Sequence, residues 1–109
     1  MDKLDTLLKM QRELSLELMT DRYPSMVQER IELLSTAIIH EAIELQRLTN
    51  WKWWKRESNM SIENCQQELI DIWHFVIQLS IELKLNPTNL VEKYTLKHIE
   101  NISRQKRGY

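Results

Sequence analysis

Two pairs of carboxylates carry most of the chemistry this chain could do. Glu41 and Glu44 stand three positions apart, and after 23 intervening residues Glu68 and Asp71 repeat the spacing. On a helix the members of such a pair lie about 60° apart and share one face. Around Glu41 that face also holds Leu34, Ala37, Ile38, Leu45 and Leu48; around Glu68 it holds Cys65, Ile72, Phe75 and Leu79, with Asp71 at its margin. Ionised carboxylates are seldom buried in an apolar stripe without a partner, because desolvation costs several kcal/mol per ion. A positive group is therefore expected, either Lys or Arg from a facing helix or a bound cation. Single ExxE motifs are common on solvated helices, but two pairs centred on apolar stripes favour a metal site. Four carboxylates converging from two antiparallel helices make a hard, all-oxygen site that suits Mg²⁺, or Mn²⁺, rather than zinc. His74 lies off the Glu68 face, so no metal role is expected of it.

The elements that must position these groups are helices. Gly occurs once and Pro twice in 109 residues, which leaves few turn formers, and Leu, Ile, Glu, Lys and Gln dominate. An all-α single domain over residues 1–109 is the natural reading. A net charge of −1 gives no field that would draw the chain to nucleic acid. One Cys permits no internal disulfide, and no secretory leader or membrane-length apolar run is present, so a cytoplasmic protein is expected.

The periodicity predicts a first helix from Asp2 to about Met19, a second from about Ser25 to Thr49 with Ser25 as its cap, a third from Ser61 to near Leu85, and a fourth opened by Asn86 and Pro87. Gln11 sits in the apolar stripe of the first helix, either as a satisfied core amide or as a reader of a ligand's hydrogen-bonding edge. The third helix is apolar on a second face as well, at Leu69, Trp73, Val76 and Ile77, which predicts a subunit interface. Between the second and third helices, Trp51-Lys52-Trp53-Trp54-Lys55-Arg56 mixes aromatics with cations. Such a run makes a hydrophobic plug with snorkelling lysines, or a nucleotide pocket with rings for the base and ammonium groups for phosphates.

Taken together, these residues resemble the all-α nucleoside triphosphate pyrophosphohydrolases, the superfamily of MazG and the dimeric dUTPases. The carboxylate spacing is the superfamily's metal motif. The dimeric dUTPase branch is the closest, on WKWWK at Trp51–Lys55, ELIDIWHF at Glu68–Phe75, and a C-terminal string of Lys97, Asn101, Arg104, Gln105, Gly108 and Tyr109. The resemblance implies a four-helix bundle unit assembled as an oligomer, a homodimer first and a tetramer as the alternative. It implies Mg²⁺-dependent hydrolysis of dUTP to dUMP and pyrophosphate, with dUTP as the favoured nucleoside triphosphate partner. Glu41, Glu44, Glu68 and Asp71 would be the Mg²⁺ ligands, Glu41 also orienting or deprotonating the attacking water. Phe75 would stack on the base and Gln11 would bond the uracil edge. Lys52, Trp53 and Trp54 would belong to a flap over the nucleotide, and Lys97, Asn101 and Arg104 would hold phosphates. Ser15 and His98 stand where the family often carries Asn.

Two further readings compete. One is a MazG-like pyrophosphatase acting on dCTP or a modified nucleotide. The other is a helical interaction module without catalysis, whose carboxylates pair with Lys93, Lys97 or Arg104. A ferritin-like di-iron site needs two Glu-x-x-His pairs, and neither His40 nor His74 stands three residues after Glu41, Glu44 or Glu68.

Overall fold

A computed structural model describes residues 2–108, so Tyr109 of the C-terminal string lies outside the described residues. Four helices follow in order: α1 (Lys3–Leu18), α2 (Val27–Arg47), α3 (Ile62–Glu82) and α4 (Pro87–Lys106). No strand is present among the described residues. The expected all-α, four-helix chain is what forms.

Local chemistry sets most of the boundaries. A reciprocal capping box between Asp2 and Asp5 opens α1. Ser61 accepts from the Asn64 amide at the start of α3, and Asn86 and Asn89 form a second capping box at the start of α4 with Pro87 at its first position. The expected cap of α2 is not used: Met26 is the N-cap residue, with no side-chain hydrogen bond. The chain entering α2 is held instead by Arg30, whose Nε donates to the Pro24 carbonyl at 2.6 Å. At the end of α3, Lys84 takes a left-handed conformation (φ 62°), and the amides of Lys84 and Leu85 bond back to Ile81 and Ser80. That closure turns the chain sharply into α4.

Helix α3 is the central element. It packs along α2 on one side and α1 on the other, whereas α4 packs on α1 alone. The inward stripes are the ones the periodicity predicts: Leu34, Ile38, Leu45 and Leu48 on α2 and Cys65, Ile72, Phe75 and Leu79 on α3 are all at least half-buried. Leu8 is fully buried and, with Leu34 and Ile77, forms the tightest part of the core.

The rest is loosely covered. The radius of gyration is 17.4 Å, against about 13 Å for a compact chain of this length. Accessible surface is 9253 Å², against roughly 6,400 Å² for a compact monomer of this mass. Of the second apolar face of α3, Ile77 is buried against α1's side of the core, but Leu69, Trp73 and Val76 stay exposed, as do Tyr94, Leu96 and Ile99 on α4. No helix among the described residues is long and apolar enough to cross a membrane.

Candidate functional site

The long pairing of α2 with α3 brings the two carboxylate pairs face to face. One oxygen from each of Glu41, Glu44 and Glu68 lies within 4.8 Å of the others. Asp71 stands one turn along α3 and lines the adjoining cavity with Glu41. Glu41 and Glu68, in the apolar stripes, are half-buried, while Glu44 and Asp71 reach solvent. Oε2 of Glu41 and Oε2 of Glu68 are closed off from water, and neither has a hydrogen-bond partner.

Such an arrangement is electrostatically unfavourable as it stands. The Glu41 carboxyl is pushed above its ordinary value of 4.5, first by burial and then by the charges of Glu44, Asp71 and Glu68. Among the described residues no ion pair reaches any of the four carboxylates: Arg30 pairs with Glu82, and Arg104 and Arg107 with Glu100. The salt-bridged alternative, with Lys93, Lys97 or Arg104 neutralising the cluster, is therefore not what the described residues form within one chain, since α4 does not pack on α2 or α3. Buried, orphaned carboxylate oxygens within a few ångströms of each other are what a hard cation needs as ligands. Glu41, Glu44 and Glu68 could hold one, with Asp71 beside them.

Next to the cluster, α1 and α2 splay apart over α3 and leave a cavity of about 530 Å³. Its walls are mainly apolar, from Leu14, Leu18, Leu34 and Phe75, and its polar points are Gln11, Ser15, Tyr23, His74, Gln78 and the carboxylates Glu41 and Asp71. This size and lining suit a planar heteroaromatic group with a polar edge. Among the described residues no Lys or Arg lines it.

Gln11 is the satisfied core amide of the two alternatives, and it also lines the cavity. It is 6% exposed, and both ends of its amide are engaged. Its Nε2 donates to Gln78 Oε1 at 3.1 Å, and its Oε1 meets His74 Nδ1 at 2.8 Å. Gln78 in turn donates to Glu82, which also accepts from Tyr23 at 2.7 Å and pairs with Arg30 at 3.1 Å. Sequence reasoning missed this set. One signal was available: His74, Gln78 and Glu82 recur every fourth position of α3 and so share a face, which is the face that meets Gln11.

The remaining expected site residues are not brought to the cavity within one chain. Lys52, Trp53 and Trp54 lie on the α2–α3 loop, whose base is clamped by Asn50, bonded through both ends of its amide to Ser58. The three tryptophans pack edge to face, Trp51 on Trp54 at 6.0 Å and Trp53 on Trp54 at 4.6 Å, and Lys52 sits over the Trp51 ring. Trp53 is 86% exposed. Lys97, Asn101 and Arg104 share one exposed face of α4 at i, i+4 and i+7, and Arg104 is braced by Glu100 at 3.1 Å.

A family model described as dUTPase matches residues 3–90. The dCTP pyrophosphatase of Enterobacteria phage T4 is 35% identical over 71 residues, covering 54% of this chain and 42% of that protein. The dCTP pyrophosphatase of Enterobacteria phage LZ5 is 37% identical over 71 residues, covering 54% and 41%. The chain thus spans less than half the length of the curated relatives it matches. No solved structure matches.

Proposed function

This chain belongs to the dUTPase family, and on that premise we propose that it is a divalent-metal-dependent pyrophosphohydrolase that cleaves dUTP to dUMP and pyrophosphate. The observation that carries the reading is the pair of buried, unpartnered oxygens on Glu41 and Glu68, of which Glu41 lines an apolar cavity. A nucleoside triphosphate brings about four negative charges against four carboxylates, and the two repel unless cations stand between them. Mg²⁺, or Mn²⁺, fits Glu41, Glu44, Glu68 and Asp71 on ligand chemistry. When bound, such an ion supplies charge neutralisation and polarisation of phosphoryl oxygens.

The chain's own groups do the rest. Glu41, with its proton affinity raised by burial and by its neighbours, orients the attacking water and accepts its proton at the carboxylate. Phe75 stacks on the base inside the cavity while Gln11 bonds its polar edge. Among the described residues no Lys or Arg lines the cavity, so charge on the departing pyrophosphate has to be met from elsewhere. Lys97, Asn101 and Arg104 meet it from α4 of a second copy of the chain, and Lys52, Trp53 and Trp54 close over the nucleotide from the loop. The open form of the single chain and the exposed apolar residues of α3 and α4 support assembly as a homodimer.

A second reading, with dCTP as substrate, is favoured by the names of the two phage relatives. Pyrophosphate release from a panel of dUTP, dCTP, dTTP, dATP, dGTP and UTP with Mg²⁺ separates the two. Turnover of dUTP above the others is expected; preference for dCTP gives the second reading, and no turnover of any nucleotide overturns both.

A further inference from the structure

Nothing in the reaction requires the chain of bonds running behind Gln11, yet it is unbroken, with the Gln11, Gln78 and Glu82 side chains buried along its middle and His74 exposed at its end. The Glu82 side chain is 7% exposed, and Gln78 and Gln11 are each 6% exposed. An amide side chain looks nearly the same either way round, so its orientation is set by what it must bond. Here one end of the chain has no choice. Burial pushes the Glu82 carboxyl up, but hydrogen bonds from Tyr23, Arg30 and Gln78 and the Arg30 charge outweigh it and hold the group ionised, below its ordinary 4.5. An ionised carboxylate only accepts. Gln78 must therefore turn its NH₂ to Glu82 and its oxygen to Gln11, Gln11 must turn its NH₂ to Gln78, and its oxygen must take a proton from His74 Nδ1.

We propose that Glu82, acting through Gln78, sets the polarity of the Gln11 amide and thereby decides which pyrimidine edge the cavity accepts. This rests on the pyrophosphohydrolase reading and names the device that gives it base selectivity. After its internal bonds, Gln11 has one N–H and one oxygen lone pair left. Uracil offers a carbonyl acceptor beside an N3–H donor; cytosine offers an amino donor beside an N3 acceptor. For a ring held in one pose by Phe75, the two edges need opposite amide orientations. With the orientation locked, the wrong base leaves both of its edge groups unmatched, the kind of mismatch binding sites reject most strongly. Glu82 is thus a positioning residue, and His74 sits at the far end of the chain it controls.

Glu82→Gln makes a sharp test because it is nearly isosteric and inverts the logic. Arg30 can only donate, so the oxygen of the introduced amide must stay with Arg30 and its NH₂ must face Gln78 and Tyr23. Gln78 then reverses, Gln11 reverses, and His74 Nδ1 becomes an acceptor. The expected result in activity is a shift of the dUTP:dCTP ratio of kcat/KM by about tenfold or more, towards the base the wild type disfavours. In long-range ¹H–¹⁵N spectra at about pH 8, where an unpaired imidazole is neutral, wild-type His74 should be the Nδ1–H tautomer and His74 of the Glu82→Gln protein the Nε2–H tautomer. The signal is assigned by its loss in His74→Asn. A role of Glu82 confined to helix packing would move neither the tautomer nor the ratio.

A wild-type His74 protonated at Nε2 overturns the proposal without any variant, so it stays testable even if Glu82→Gln folds poorly. An unchanged ratio in folded Glu82→Gln overturns it too, as does a wild type that hydrolyses dUTP and dCTP equally. Failure of the enzyme reading looks different: neither nucleotide is hydrolysed, Glu41→Gln matches the wild type, and the base-selecting role falls with it. A wild-type preference for dCTP that Glu82→Gln turns towards dUTP supports the relay and corrects only the base.

Discussion

Glu41→Gln is expected to lower Mg²⁺-dependent pyrophosphate release by at least about a thousandfold, since one substitution removes a metal ligand and the proton acceptor for water. The same variant is expected to leave the metal-free protein more stable, not less. Ionised Glu41 faces Glu44, Glu68 and Asp71 with its Oε2 unpartnered, so neutralising it relieves repulsion. The sign of the pH dependence follows. A carboxyl whose folded value is raised contributes stability that is complete below 4.5 and is lost as pH climbs through that higher value. Glu82, held below 4.5, works the opposite way, present above 4.5 and lost on acidification through its lowered value, but it is common to both proteins. The gap in melting temperature between Glu41→Gln and wild type, measured without metal, should thus open as pH rises from about 4.5 to neutrality. Adding Mg²⁺ should raise the wild-type melting temperature and not the variant's. A Glu41→Gln protein that melts lower at every pH would mean that ionised Glu41 is stabilised within the fold, and one that still responds to Mg²⁺ would mean that the cation is held without Glu41.

The second large effect concerns α4. Lys97→Ala should be nearly inactive alone if that face holds the phosphates. In a symmetric dimer whose sites take carboxylates from one subunit and α4 from the other, co-assembly of Lys97→Ala with Glu41→Gln restores one intact site per mixed dimer. Random 1:1 mixing then returns about a quarter of wild-type activity. Tagged copies co-expressed and purified through both tags should show about half. If the mixed dimers remain as inactive as their parents, α4 serves the site of its own chain, and its stance away from α2 and α3 must change on substrate binding.

What the amino-acid pattern made legible was whatever depends on helical period and local chemistry. The stripes that carry Glu41 and Glu68 face inward as the wheel requires, and Ser61, Asn86 and Pro87 open their helices as capping rules require. Ser25 shows the limit of the same rules: a guanidinium five residues on, bonded to Pro24, holds the entry to α2 without a side-chain cap. The placement of α4 was not legible, because an amphipathic period says that a face must be covered but not whether its own chain or another copy covers it. Gln11 stood out as a polar residue in an apolar stripe, whereas its partners did not. Glu82 meets Arg30 across 52 positions and Tyr23 across 59, separations at which no local signal survives. The Trp51–Arg56 run has no period to read; its edge-to-face tryptophans and the Asn50–Ser58 clamp emerge only in three dimensions.

The most direct measurement is ³¹P NMR of dUTP incubated with the purified chain and Mg²⁺, beside the same mixture with Glu41→Gln. Equal amounts of dUMP and pyrophosphate in the first and intact dUTP in the second are what the carboxylate site predicts. Release of orthophosphate with dUDP, or equal turnover by wild type and variant, would contradict cleavage between the α and β phosphates at Glu41, Glu44, Glu68 and Asp71.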